Sequence, residues 1–402
     1  MSLRIVADEN IPGVEQYFAD LGEVHRIDGR SLQASDLRGT DVLLVRSVTT
    51  VDAQLLQFCS PQFVATATSG VDHIDRHYLY RNGIGFAHAP GSNANSVVEY
   101  VLGAIGAIDD HLETLLQGGS LGIVGYGIIG KALHARAAAL GIPCKTYDPW
   151  LSPQDMPCNA CLDDVLACNV VSLHAELTRE QPWPSHHLLG REALAKLRPD
   201  GLLINASRGA VIDNQALLQA LKAGAFPAVV LDVWEHEPVI DRDLLAKVRI
   251  GTAHIAGYSL DGKLRATEML SRALRAWLDL DKQPDAPRAS AISHSVTLDD
   301  AGSSASVIRN LLGTRYSVWE DDELLRKAIN SASAETAATA FDQLRRNYRD
   351  RFEFAGSGVD GKAISDPEVR QLAIALGGRV AACDTVSSIA TDGAPHNVVA
   401  KE

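Results

Sequence analysis

The residues best equipped for chemistry fall in a few short segments. Gly125-Tyr126-Gly127-Ile128-Ile129-Gly130 is a G-x-G-x-x-G that follows the apolar stretch Leu121–Val124 and opens a helical pattern over residues 131–140. In that setting Gly125 allows a tight turn, Gly127 lets the backbone approach a pyrophosphate, and Gly130 lets helix pack on strand. The N-terminus of that helix supplies free N–H groups to the anion, and Ile128 and Ile129 are counted with the glycines as cofactor contacts. Eighteen residues beyond Gly130, Asp148 closes the next strand, where a carboxylate accepts both ribose hydroxyls and repels a 2′-phosphate. Pro149, Trp150 and Leu151 follow with no cation to offset that repulsion, so the expected cofactor is NAD, not NADP.

Three further segments end successive strands: Asn205-Ala206-Ser207-Arg208-Gly209, Asp232 through Pro238, and Thr252 through Gly257. Carboxyl ends of parallel strands face the ligand crevice, so Arg208, Glu237 and His254 can converge although far apart in sequence. Oxidation of a 2-hydroxy acid needs one group of each kind. A guanidinium forks onto the carboxylate and the C2 oxygen. An imidazole takes the hydroxyl proton, and a carboxylate paired with it favours the imidazolium and holds the ring. Each also has a structural alternative: a loop cap for Arg208, a solvated turn for Glu237, a core histidine for His254. Asp232 can accept from a nicotinamide amide or hold its own loop. His73, His77, His174, His186 and His187 lack metal-site spacing and read as structural, so no metal is expected.

The elements that position these groups alternate between strand and helix. Residues 3–7, 41–45 and 62–66 read as strands, with helices at 13–21 and 53–58 between them, which implies a parallel sheet. After Pro90-Gly91, residues 96–108 form a helix apolar around most of its circumference, expected to be buried between domains or subunits. Strands at 121–124, 144–147, 170–173, 202–205, 229–233 and 248–252 then describe a second doubly wound sheet. Residues 279–303 turn to Asp, Pro, Ser and Ala and read as a linker. Helices are expected at 321–329 and 334–348, the second with Ala337, Phe341, Leu344 and Tyr348 on one face. The polar, aperiodic tail over 384–402 is expected to be disordered.

The totals narrow the function classes. At 402 residues the chain suits two or three domains, and 46% apolar against 22% charged residues excludes wholesale disorder. A net charge of −13 argues against nucleic acid and anionic membrane as partners. The apolar run 97–108 is too short to span a bilayer and contains Glu99. Six cysteines, with Cys158 and Cys161 as the C-x-x-C, form no disulfide framework, and a cytoplasmic setting is expected.

Together, Gly125–Gly130, residues 205–209, 232–238 and 254–257 resemble the NAD-dependent D-isomer-specific 2-hydroxyacid dehydrogenases. A narrower likeness rests on Ala7-Asp8-Glu9-Asn10-Ile11-Pro12, Leu44 to Thr49, Ser69 to Asp75, Asn205 to Asn214, His254 to Leu264, Arg315-Tyr316 and Phe341 to Tyr348. These segments resemble the branch with an added C-terminal domain that acts on a small phosphorylated 2-hydroxy acid, 4-phospho-D-erythronate. The resemblance implies an α/β fold: a Rossmann-type NAD domain (94–257), a flavodoxin-like substrate or lid domain (1–93 with 258–282) and a small α/β dimerisation domain (283–383). It implies catalytic Arg208, Glu237 and His254, and cofactor contacts at Gly125 to Gly130, Asp148, Ala175, Ser207, Gly209, Asp232 and Gly257. Ser47, Thr68 and Tyr258 would bind substrate, and a homodimer is implied. Arg46, beside Ser47 at a strand end, has a cationic fork that suits a phosphate or a carboxylate, and is expected to bind the phosphate. Ala175-Glu176 stand where Thr-Pro is usual, and Ser92 where Cys is usual. Two alternatives stay open: a relative acting on 3-phosphoglycerate, and a non-catalytic NAD-sensing protein.

Overall fold

The first sheet begins with LRIVAD, an apolar run flanked by charge, as β1 (Leu3–Asp8). Around it lie β2 (Gly22–Ile27), β3 (Val42–Val45), β4 (Phe63–Thr66) and β5 (Gly85–His88), in the order β2-β1-β3-β4-β5. All neighbours pair in parallel, the order of a flavodoxin-like sheet. β3 and β4 are buried on both faces, as continuous apolar strands of a covered parallel sheet must be. The computed structural model describes residues 2–224, 226–280, 295–300, 302–333 and 335–380, so the expected tail and most of the expected linker lie outside the described residues.

The second sheet comprises β6 (Leu121–Val124), β7 (Cys144–Tyr147), β8 (Val170–Leu173), β9 (Leu202–Asn205), β10 (Ala228–Leu231) and β11 (Ile250–Gly251). Its order is β11-β10-β9-β8-β6-β7, again all parallel. Outside β7 the chain returns for one isolated bridge, Thr146 to Asn159. That bridge stands where the third strand of a Rossmann sheet pairs, reduced here to a single residue. A small third sheet contains β12 (Ser295–Thr297), β13 (Gly358–Asp360) and β14 (Arg379–Val380), the first two parallel.

Two compact units result: Met1–Ser92 with the stretch beginning at Lys263, and Asn93–Gly262 with the stretch ending at Arg379. In the first, Ala266, Leu270 and Leu274 of the long helix Leu260–Trp277 join Ile5, Val42, Leu44 and Phe63 in one core. In the second, the C-terminal helices Val318–Ser331 and Ala337–Arg346 feed Leu325, Ile329, Ala337 and Phe341 into the core of the six-stranded sheet. The C-terminal region and the Rossmann sheet therefore share one hydrophobic interior. The apolar helix, Ala94–Ala107, is buried within this unit, packed on Ile128–Ala139 and on the C-terminal helices Ser304–Gly313 and Val318–Ser331.

Several expectations need correction. Residues 53–58 form turns, not a helix: Asp52 takes the Leu55 N–H, and the stretch before Pro61 is too short to propagate. The first helix contracts to Val14–Phe18 and the last sheet strand to β11. β2 and β5 carry mixed polarity at the sheet's two edges and gave no clean signal. Among the described residues no helix is long and apolar enough to cross a membrane.

Glu99 is buried in helix Ala94–Ala107 and accepts the backbone N–H groups of Phe354 (2.9 Å) and Ala355 (2.8 Å). Burial, then the nearby Glu353 carboxylate, push its pKa up to about 7 despite Arg351 and these N–H groups. The folded chain thus binds more protons than the unfolded one between the ordinary carboxylate pKa and 7, so this group's contribution to stability falls as pH rises through that window. Glu99→Gln should flatten the decline in melting temperature between about pH 5 and 7.5. Calorimetry showing identical slopes for both proteins would remove Glu99 as the source.

Candidate active site

Of the three motif glycines, two are demanded by the protein's own backbone. A Cβ on Gly125, whose φ is +90°, would lie 2.4 Å from the Ala175 nitrogen, and one on Gly130 would strike the Gly125 carbonyl oxygen. A Cβ on Gly127 meets nothing within 4 Å. That is the room a pyrophosphate needs at the N-terminus of helix Ile128–Ala139. Asp148, just past β7, accepts the Tyr126 N–H at 2.9 Å through Oδ2 and the Trp150 N–H at 3.1 Å through Oδ1. It thereby holds the glycine loop, and each oxygen keeps a further lone pair. His174, before Ala175, is half-buried and neutral: desolvation lowers its pKa to about 4, Ser172 Oγ lies 2.9 Å from Nε2, and the enclosed Nδ1 has no hydrogen-bond partner.

Beyond β9, Asn205 Oδ1 accepts from both the N–H and the hydroxyl of Ser207 while its Nδ2 donates to the Arg208 carbonyl. The turn presents Arg208 half-buried, with Nη1 donating to the Ser207 carbonyl at 2.9 Å. Gly209 serves packing as much as any ligand: a Cβ there would lie 2.0 Å from the Trp234 carbonyl. Gly257 is equally confined, against Asn93.

The loops after β10 and β11 are stitched together by Asp232, which is 1% exposed. Its Oδ1 accepts from Thr252 Oγ1 (2.6 Å) and the Ile255 N–H (2.7 Å), and Oδ2 from the Ala256 N–H (2.9 Å). Of the two roles open to Asp232, these are the bonds of the loop holder. Burial raises its pKa, against the pull of His254 and these donors. Tyr100 Oη, 2.8 Å from Thr252 Oγ1, and Trp234 Nε1, donating to the Thr252 carbonyl, brace the same loop.

His254 projects from this loop with φ +56°. Its Nδ1 lies 2.8 Å from Glu237 Oε2, and the other Glu237 oxygen accepts the Trp234 N–H at 2.8 Å. Burial pushes the Glu237 pKa up, but the His254 charge and hydrogen bond, the Trp234 N–H and Arg345 outweigh it, so the group stays below the usual range. Tyr258, next along, meets Tyr348 edge-on, with ring centroids 5.7 Å apart.

In the other unit, Arg46 and Ser47 follow β3 and Thr68 follows β4, at adjacent strand ends. Arg46 Nε is 3.0 Å from Asp8 Oδ1 at the end of β1, an ion pair without hydrogen-bond alignment. Ser47 is exposed. Thr68 donates to the Gly70 carbonyl and neighbours Thr66, whose hydroxyl also meets His73 Nε2.

Three features escaped sequence reading. Asp8, a mere motif letter, anchors Arg46. His186, His187 and Glu235 bring possible ligand atoms within 4.8 Å of one another, where His187 bonds Glu235 at 2.7 Å and Glu235 also accepts the Asn214 N–H. Arg345, one turn beyond Phe341, lies on the buried face of its helix beside Tyr258. Only the +4 spacing from Phe341 could have signalled it.

Residues 103–256 match the family described as D-isomer specific 2-hydroxyacid dehydrogenase, NAD binding domain, and residues 287–377 match a domain of unknown function (DUF3410). D-lactate dehydrogenase from Aquifex aeolicus, solved with NAD and lactic acid, shares the fold with a TM-score of 0.56 and 24% identity, over 69% of this chain and 95% of that one. The class is thus that of NAD-binding 2-hydroxyacid dehydrogenases. Erythronate-4-phosphate dehydrogenase of Cellvibrio japonicus is 44% identical over 356 residues, covering 88% of this chain and 93% of that protein. Its counterpart in Stutzerimonas stutzeri is 40% identical over 389 residues, 94% and 100% of the two chains. The chain belongs to the erythronate-4-phosphate dehydrogenase family.

The glycine geometry separates two effects. Gly209→Ala should cost about 1–3 kcal/mol or more, because backbone must move to admit its Cβ. Gly127→Ala should hold stability within about 1 kcal/mol, since its φ of −74° suits alanine, yet weaken NAD binding. Denaturant unfolding and dinucleotide titration of both variants would reveal the reverse pattern if these glycines were misassigned.

Proposed function

We propose that this protein oxidises 4-phospho-D-erythronate to 2-oxo-3-hydroxy-4-phosphobutanoate with NAD, a step toward pyridoxal 5′-phosphate, as a cytoplasmic enzyme. The observation that carries the reading is the 2.8 Å pairing of His254 Nδ1 with Glu237 beside the arginine-bearing turn of the neighbouring strand. The family relationship supports the substrate. NAD, when bound, supplies the hydride acceptor at C2.

The rest follows from the chain's own groups. With Glu237 accepting at Nδ1, the neutral imidazole keeps its lone pair on Nε2, so His254 acts as the base for the C2 hydroxyl proton. Glu237, held ionised, stabilises the imidazolium that forms. Arg208 receives the substrate carboxylate and polarises the C2 oxygen through its planar fork. Asp232 acts by placing the loop that carries His254. Gly125 to Gly130, Asp148, Ala175, Ser207, Gly209 and Gly257 form the dinucleotide's bed, and Tyr258, Ser47, Thr68 and Arg46 bind substrate.

His254→Ala should lower kcat about 10²–10⁴-fold with NAD binding unchanged. Glu237→Gln removes the charge that stabilises the imidazolium formed in the reaction, so kcat/KM should fall at its plateau, with NAD binding unchanged. Initial rates with 4-phospho-D-erythronate, 3-phosphoglycerate and glycerate test the substrate. A clear preference for either of the last two would refute the assignment.

We infer also that two copies associate through the C-terminal region, where Trp319, Leu324 and Ile374 carry apolar side chains toward solvent. Leu324→Glu should convert a dimeric mass to a monomeric one in light scattering. An unchanged mass would exclude this face.

A further inference from the structure

We propose that Arg345 binds the phosphate end of the substrate, and so is the residue through which the C-terminal region takes part in substrate choice. The inference rests on the proposed 4-phospho-D-erythronate reaction. It begins with helix Ala337–Arg346, whose Ala337 and Phe341 are sunk in the core of the six-stranded sheet. One turn further, Arg345 has to share that inward face. Its guanidinium carbon lies 5.7 Å from the centre of the Tyr258 ring, four residues beyond His254. Burial disfavours its charge, but Tyr258, Glu237 and Asp232 more than restore it, which places the cation within electrostatic reach of the catalytic carboxylate.

Several arginines of the second unit are neutralised by a carboxylate, and Arg345 is not. Arg309 is paired with Glu113 at 2.6 Å, Arg326 with Asp322 at 2.8 Å and Arg349 with Asp321 at 2.6 Å. Among the described residues no carboxylate lies within ion-pairing distance of Arg345, and its Nε is sealed from solvent without a hydrogen-bond partner. A half-buried guanidinium that has Tyr258 as a hydrogen-bond partner but no carboxylate beside it keeps its charge at a cost that an arriving anion would offset. The substrate brings two anionic ends. Arg208, at the reacting carbon, serves the carboxylate. The phosphate, with roughly −1.5 to −2 charge at neutral pH, can take a further planar fork besides that of Arg46, and Arg345 offers one beside Tyr258. Were Arg345 only a support for Glu237, its loss would slow every substrate alike.

The test is steady-state kinetics of the full-length protein with Arg345→Met and Arg345→Lys, on 4-phospho-D-erythronate and on D-erythronate lacking the phosphate. In Arg345→Met, KM for the phosphorylated acid should rise about 10–100-fold, the loss expected for charge-assisted hydrogen bonds. The kcat/KM for D-erythronate should change less than about threefold, since that substrate offers no phosphate to lose. Arg345→Lys should recover part of the discrimination through its point charge. An unchanged dinucleotide Kd in both variants shows that the fold survives. An unaltered KM for the phosphorylated acid, or an equal fall on both substrates, overturns the proposal. If the wild-type protein turns over neither acid, the proposed reaction has failed, and calorimetric titration with inorganic phosphate decides the subsite: binding lost in Arg345→Met upholds it, equal binding in both proteins rejects it.

Discussion

The arrangement around the reacting carbon depends on one buried carboxylate. Asp232 gathers the Thr252 hydroxyl and the Ile255 and Ala256 N–H groups onto its two oxygens. Each bond is charge-assisted and shielded from water, so together they fix the loop that carries His254 far more firmly than neutral contacts would. The desolvation of Asp232 is offset in part within the same few residues, and its pKa stays raised. Without it, His254 would have no reason to keep its positive φ or its alignment with Glu237.

The C-terminal region is bound into the same network. Arg351 donates to the carbonyls of Ser96 and Ala256 while stacking 3.7 Å over the Tyr316 ring. Glu353 accepts from the Ser96 and Ser259 hydroxyls, and its N–H donates to Asp261. These bonds grip the loop on both sides of Tyr258. A segment that looks like an appendage in sequence thus belongs to the structural support of the chemistry, and shares its hydrophobic interior with the cofactor-binding sheet.

Much of this was legible beforehand because each signal combined a residue type with a context. The glycine motif was meaningful since it lay between an apolar strand and a helix, and Glu237 and His254 because they ended neighbouring strands. Other parts hid for physical reasons. β2, with its alternating charges on an edge, resembles a loop when read locally. Residues 53–58 have helical composition but too little length to nucleate. The bonds of Asp232 to its own loop join residues more than twenty positions apart, which no local pattern announces. Arg345 is ordinary on an amphipathic helix, where a charge normally faces water, and only the packing of Phe341 reveals that it turns inward.

The close approach at Gly209 bears on how such a protein can diversify. Because the turn after β9 abuts the Trp234 backbone with no space for even a methyl group, the arginine and glutamate loops form one incompressible block. Drift within that block is stifled, since any enlargement dislodges both groups at once. Innovation in what the enzyme accepts is then channelled away from this block, and a designer seeking a new specificity would leave the turn after β9 alone.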